Sequence, residues 1–346
     1  MNGVKVKPLK DSLWVLVVLG WALCLSACAS LSAVFDLKQE TAETKPLLFQ
    51  SEDYIVTRLQ GSETAEDLAE RFLKDRRRAW VVEEANRGVA FEKGSFIVIP
   101  LKEESKGGLR ADGYQTVPIL CYHRLADSCE SALCMTTSLF EEQMRYLKET
   151  GYRVISLAEL ADFFSYRRAL PSKAVVINLD DGYRSTYEIA YPILKKYGFT
   201  ASLFIYTDFI GASANSLTWD QLQEMRADGF EVGSHSLSHC DLTKKGKGED
   251  EEQYMERVRR ELVQSKQILD RKLNQNTTYF AFPYGEYNHR ILSLCEEAGY
   301  RLGLSVKRGG NPFFSDPLVL RRDQILRKDI DSFVNTLNTF HELPLW

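Results

Sequence analysis

From residue 117 onward, short apolar runs alternate with amphipathic stretches, and this alternation constrains the fold more than any other feature of the chain. Runs at 117–122, 175–179, 201–205 and 230–233 have the length and apolar density of strands buried on both faces. Stretches at 140–150, 189–197, 219–228 and 250–273 carry apolar residues at helical spacing, for example Met144 and Leu147, or Val258, Leu262 and Leu269. The Glu- and Arg-rich remainder of 250–273 reads as a solvated face. Short late strands are expected at 279–281, 301–304 and 318–320. A strand that returns through a helix pairs parallel to its predecessor, so the pattern predicts an α/β barrel or an open parallel sheet.

Parallel α/β folds collect their functional groups at the carboxyl ends of strands. Two runs end there in chemistry: Asp180-Asp181-Gly182-Tyr183 after 175–179, and His235-Ser236-Leu237-Ser238-His239 after 230–233. Taken singly, each has a plain explanation, a turn or a structural pair of imidazoles. Taken together they are the kit for metal-assisted hydrolysis. Two His at i, i+4 can face one cation. Adjacent Asp residues at a strand end diverge, so one can ligate while the other stays free as a base. Two further pieces join them. The run Val117-Pro118-Ile119-Leu120-Cys121-Tyr122 leads into His123, and Phe280-Ala281-Phe282-Pro283-Tyr284-Gly285 reads as a rigid turn that can aim a backbone N–H at a reacting oxygen. Trp219 follows a loop and could stack on a sugar or sit in the core. His289 reads as solvated, early in a helix. His341, behind Phe333, Leu337 and Phe340 at helical spacing, reads as a surface residue.

The chain has 346 residues, enough for one large or two unequal domains, and a net charge of -4 with no basic stripe, which argues against a nucleic-acid partner. Lys5, Lys7 and Lys10 precede an apolar run at 13–25, the pattern of an export signal rather than a membrane span. Residues 54–101 read as strand, helix, helix, strand, and the charged, Gly-containing stretch after them as a linker. Of seven cysteines, Cys24 and Cys28 fall in the export region. Cys129 and Cys134 are close enough to bridge a loop. Cys240, next to His239, is a conceivable thiol ligand or, more simply, a small buried side chain.

Three resemblances sharpen this reading. Leu25-Ser26-Ala27-Cys28 resembles the lipobox of bacterial lipoproteins, which implies lipidation at Cys28 and a membrane anchor. Ala29 in place of Asp implies the periplasmic face of the outer membrane. Tyr54-x-Val56, Gly61-Ser62-Glu63-Thr64, Leu68-Ala69-x-x-Phe72, Asn86 and Ile97-Val98-Ile99-Pro100 resemble a lysin-motif module, which implies binding to N-acetylglucosamine polymers. The four pieces of the main domain, in their order, resemble the polysaccharide deacetylase family, carbohydrate esterase family 4. That resemblance implies a distorted (β/α) barrel and removal of N-acetyl groups from an N-acetylglucosamine polymer or peptidoglycan. It also implies a divalent metal, zinc by default, with Co²⁺ or Ni²⁺ compatible.

Carried over residue by residue, Asp180 is the expected general base, Asp181, His235 and His239 the metal ligands, and Tyr284 the backbone donor beside Pro283. The chain departs from the common pattern twice. Ala281 stands where many members carry an Arg that orients the base, and the late segment Pro317-Leu318-Val319-Leu320-Arg321-Arg322 lacks the His that many members carry there. His123 is therefore the expected acid, as in the poly-N-acetylglucosamine branch that shares the Tyr-His strand. Arg321 or Arg322 is the expected substitute for the Arg, on opposite faces of an extended segment. The expected layout is a signal at 1–27, a tether at 28–52, a glycan module at 53–101, a linker at 102–114 and the deacetylase domain at 115–346. The competing readings are a non-catalytic glycan-binding lipoprotein and an amidase or esterase for another acyl group.

Overall fold

A computed structural model describes residues 47–102, 106–326 and 329–343. The export segment with Cys28, and most of the expected tether, lie outside the described residues. Among the described residues no helix is long and apolar enough to cross a membrane.

Among the described residues, the main sheet has eight parallel strands: seven lie in the order Leu302–Leu304, Tyr279–Ala281, Glu231–Ser234, Ser202–Ile205, Ala174–Asp181, Ile119–Tyr122 and Asp323–Gln324, and Arg153–Val154 pairs with the start of Ala174–Asp181. The two edges meet through one late segment. Leu320 bridges to Leu304, and three residues on Asp323 pairs with Leu120, so 320–324 closes the sheet into a distorted (β/α) barrel.

The expected strand at 117–122 is divided. Pro118 has no N–H to give a ladder, and the chain breaks there into Gly113–Val117, paired antiparallel outside the barrel, and Ile119–Tyr122 within it. The expected strand at 318–320 is instead a single 3₁₀ turn, Pro317–Val319. Asp316 caps it by accepting from the Leu318 N–H, and Pro317 supplies a helix-ready φ at the first position. His341 lies not on a helix but in the strand Phe340–Glu342, with its ring 5.0 Å from that of Tyr114. His289 does open a helix, His289–Glu297.

Side-chain alternation along Ala174–Asp181 organises the core. Val175, Ile177 and Leu179 face the outer helices, packing with Met144, Leu194 and Leu222. Ala174 and Val176 face inward and pack with Phe204, Leu302, Leu304 and the helix Leu157–Phe164. That short helix, which periodicity did not reveal, plugs the amino-terminal end of the barrel. Ser156 and Glu159 form its capping box. From within the barrel, the Glu231 carboxylate accepts from the N–H groups of Leu157 at 2.7 Å and Ala158 at 3.1 Å, an anion on a helix N-terminus. Above the plug the ring of Phe204 crosses to the strand Glu231–Ser234. A Cβ at Gly233 would stand 2.5 Å from that ring, so only glycine fits.

Ahead of the barrel, Leu47–Gln50, Tyr54–Arg58 and Phe96–Pro100 form a three-stranded antiparallel sheet covered by the helices Ala65–Leu68 and Ala79–Ala85. The first strand falls in the stretch expected to be tether. Thr64 and Asp67 make a capping box at the turn into the first helix. Asn86 staples the second helix to the last strand: its amide donates to the carbonyls of Val82 and Val98 and accepts from the Val98 N–H. This βααβ unit touches the barrel beside the amino-terminal ends of its strands, through Glu83 with Arg153, and Glu84 and Arg87 with Ser172. Cys129 and Cys134 form a disulfide. Cys240 is half-buried, with Arg257 Nη1 at 3.5 Å from its sulfur.

Candidate active site

The barrel brings together four of the sequence pieces at the carboxyl ends of its strands. Asp180 and Asp181 end one strand, His235 follows the next but one, and His239 lies four residues on. Both rings and both carboxylates converge because the backbone turns sharply at each piece. Of seven non-glycine residues with positive φ among the described residues, four lie here: Asp181 (74°), Ser236 (72°), His239 (62°) and Tyr284 (59°). Such conformations cost on the order of 1–3 kcal/mol each and persist where surrounding structure imposes them.

Asp180 is buried, and Arg322 is the largest fully enclosed side chain among the described residues. Arg322 Nη1 lies 2.9 Å from Asp180 Oδ1 and 2.8 Å from Oδ2, while its Nε donates to the Ser305 carbonyl at 2.8 Å. The guanidinium also stands 5.7 Å over the Phe204 ring. Burial alone would raise the Asp180 pKa, but Arg322, with the nearby His235 and His123, brings it down to about 2. Cys121 Sγ donates to Asp180 Oδ2 at 3.4 Å from the neighbouring strand. Of the two alternatives open in the sequence, Arg322 therefore points inward. Arg321 points outward, with Nη1 3.4 Å from the Arg308 carbonyl.

Asp181 has the opposite environment. Burial, then the charge on Asp180, pushes its pKa up to about 7. Its Oδ1 is buried and has no hydrogen-bond partner, yet His235 Nε2 lies 3.6 Å and His239 Nε2 3.3 Å away. His235 Nδ1 donates to the Ala281 carbonyl at 2.7 Å, so its Nε2 carries the free lone pair. Burial lowers the pKa of both rings, to about 3 for His235, and holds them neutral. An orphaned carboxylate oxygen facing two neutral imidazole nitrogens, with all three donors within 4.8 Å, is a donor set that fits a divalent cation.

His123 stands beside the candidate base, its ring atom within 4.8 Å of Cys121 Sγ and an Asp180 oxygen. Burial lowers its pKa as well. Tyr284 sits in the 3₁₀ turn Pro283–Gly285 with its exposed ring edge-on to His239, centroids 4.9 Å apart. Gly285 makes the turn possible: at φ 75°, any Cβ would fall 2.3 Å from Val306 Cγ2. Trp219 is not part of this constellation. Its ring packs against the main core with the Lys272 ammonium 5.8 Å over one face.

One supporting residue was hidden by the charge pattern. Glu261, on the helix Glu251–Leu273, is buried rather than solvated. Its carboxylate accepts from the Leu237 N–H at 3.0 Å, the Ser238 N–H at 2.9 Å and the Ser238 hydroxyl at 2.7 Å, and so holds the loop between the two His. The signal was present in the spacing: Glu261 sits three residues after Val258 and beside Leu262, on the apolar face.

Comparison with known proteins agrees with the geometry. The family model for polysaccharide deacetylase matches residues 167–303. The chain is 30% identical over 218 residues to YxkH of Bacillus subtilis (strain 168), a protein named for polysaccharide deacetylase, covering 63% of this chain and 74% of that one. It is 27% identical over 215 residues to a poly-β-1,6-N-acetyl-D-glucosamine N-deacetylase of Staphylococcus aureus (strain MSSA476), covering 60% and 73%. Among solved structures, the deacetylase PplD of Streptococcus pyogenes in complex with acetate superposes with a TM-score of 0.59 at 29% identity, over 65% of this chain and 99% of that one. The chain belongs to the polysaccharide deacetylase family.

Proposed function

We propose that this protein removes N-acetyl groups from an N-acetylglucosamine polymer, poly-N-acetylglucosamine or peptidoglycan, at the cell envelope. The observation that carries the reading is the division of labour between adjacent carboxylates: Asp180 held anionic by Arg322, and Asp181 unpartnered beside two neutral imidazoles. The named activity of the Staphylococcus aureus relative supports the substrate class.

Asp181, His235 and His239 would hold the cation, zinc by default. When bound, such an ion polarises an acyl oxygen and makes water a better nucleophile near neutral pH. Asp180 takes the proton from the attacking water. Arg322 keeps the Asp180 carboxylate charged and fixes its direction, in the manner of the Arg that Ala281 replaces. The Tyr284 backbone N–H serves the oxygen that gains charge as the amide carbon becomes tetrahedral. His123 protonates the departing amine. The proton it delivers is the one Asp180 takes from the water, since its ring and an Asp180 oxygen lie within 4.8 Å, and burial, which lowers its pKa, favours release of that proton to the amine.

In this reading Cys28 carries the lipid that ties the chain to the outer membrane, and the βααβ unit is a lysin-motif module for the glycan. Because that unit touches the barrel beside the amino-terminal ends of its strands, it holds the polymer as a remote anchor and does not line the catalytic mouth.

The test is acetate release from N-acetylglucosamine oligomers of both β-1,4 and β-1,6 linkage and from peptidoglycan, with the protein stripped and reloaded with Zn²⁺, beside Asp180→Asn. Metal-dependent release that the substitution abolishes supports the deacetylase. Glycan retention without acetate from any substrate would sink it in favour of a binding protein.

A further inference from the structure

A cleft of about 840 Å³ opens on the outer side of the segment that closes the barrel. It shares a wall with the active site. Arg322 points inward to Asp180, while its neighbours Arg321 and Asp323 line the cleft on the other face. The far walls come from the loop after Lys307, the strand with His341 and the helix Ile330–Val334 with the residues after it.

The lining has a specific chemistry. Phe314 is 60% exposed and packs edge-on to Tyr114 at 5.1 Å, which in turn packs on His341 at 5.0 Å. An aromatic held from behind, with its surface presented outward, accepts the apolar face of a flat ligand. Polar groups surround it. Arg321 uses one N–H on the Arg308 carbonyl, leaving further donors free, and the exposed Asn335 amide offers both a donor and an acceptor. Among the described residues the charges lining the cleft balance, with Arg308 paired to Asp323 at 3.3 Å, and Arg321 and Asp316 the remaining cation and anion. A ligand suited to this lining is neutral, rich in hydroxyl or amide groups, and apolar on one face. A pyranose ring has those properties, a nucleic acid or acidic peptide does not, and a purely apolar peptide would strand the polar groups. The volume is in the range of small-ligand sites.

We propose that this cleft is a second carbohydrate-binding site, taking a neutral pyranose segment stacked on Phe314 with its hydroxyl or acetamido oxygens on Arg308 and Arg321. A second grip on one polymer raises its effective concentration at the active site without any new contact there. The inference rests on the cleft's own lining, so it survives or fails apart from the catalytic reading.

The test uses the full chain in detergent with Asp180→Asn, so that glycan is bound and not cut, and reads the apparent Kd for immobilised β-1,4-linked N-acetylglucosamine polymer. Phe314→Ala and Arg308→Ala are each expected to weaken retention about tenfold, the scale of one lost stacking or charge-assisted contact. Phe314→Trp, which keeps a ring at the same exposed place, is expected to restore it. Retention unchanged within about twofold in both Ala variants overturns the proposal, and so does tighter binding to a polyuronate than to the neutral polymer.

Discussion

Arg322 and Asp180 form a buried ion pair across the barrel, with one guanidinium nitrogen within 3 Å of both carboxylate oxygens and neither residue more than 1% exposed. The pair joins the segment that closes the barrel to the strand that carries the candidate base, so structure and chemistry depend on the same contact. Truncating one partner of such a pair leaves a buried, uncompensated charge and costs about 3–5 kcal/mol. Arg322→Ala is therefore expected to lower the urea unfolding free energy by about that amount and to reduce acetate release at least a hundredfold. Arg321→Ala, on the outer face, is expected to change stability by less than about 0.5 kcal/mol. Equal effects from the two substitutions would show that the inward and outward assignments are wrong.

The same pair sets a pH dependence. The folded-state pKa of Asp180, about 2, lies below its ordinary value of 3.8. Its contribution to stability is thus fully present above about pH 4 and is lost as the pH falls towards 2. Urea unfolding measured from pH 5 to pH 2 is expected to show a steeper acid loss in the wild type than in Asp180→Asn, which cannot titrate. Parallel curves would rule out a depressed Asp180.

Cation retention is expected to need all three donors. Asp181→Asn, His235→Ala and His239→Ala should each emerge from dialysis against Zn²⁺ with less than about one tenth of the bound zinc of the wild type, measured by atomic emission. Full retention in any one of them would remove that residue from the ligand set.

Glu261 reaches the site only through the loop it holds. Residues that orient metal ligands typically contribute about 10–100-fold in metal affinity, and Glu261→Ala removes three hydrogen bonds from the Leu237–Ser238 segment. Zinc affinity by competition with a chelator is expected to fall within that range while the purified protein remains folded by circular dichroism. An unchanged affinity would reduce Glu261 to a packing residue.

His123 is expected to act late in turnover. His123→Ala should lower the rate of acetate release by about 10²–10⁴-fold and leave zinc content unaltered. Near-normal turnover would send the search for the acid to another residue.

Much of this was legible in the residues themselves. Period and strand length determine which segments are strands and which are helices, because each must bury an apolar face of fixed geometry. The strand-end positions of Asp180, Asp181, His235 and His239 follow from that, and the turn at Pro283–Gly285 follows from its own Pro and Gly, whereas the spacing of Cys129 and Cys134 only permitted the bridge that the structure forms. What the tertiary structure decided is everything that depends on direction across the barrel. Two adjacent arginines are equivalent in sequence, and only closure of the ring through Leu320 and Asp323 turns Arg322 inward and Arg321 out. Glu261 looked solvated until the helix docked its apolar face, and Trp219 is turned to the core by its helix. The plug helix Leu157–Phe164 is too short to announce itself by period, and is fixed by a barrel interior that needs filling and by Glu231 at its N-terminus. Local sequence specifies each element's own periodicity, while the facing of one residue toward another is a property of the closed sheet.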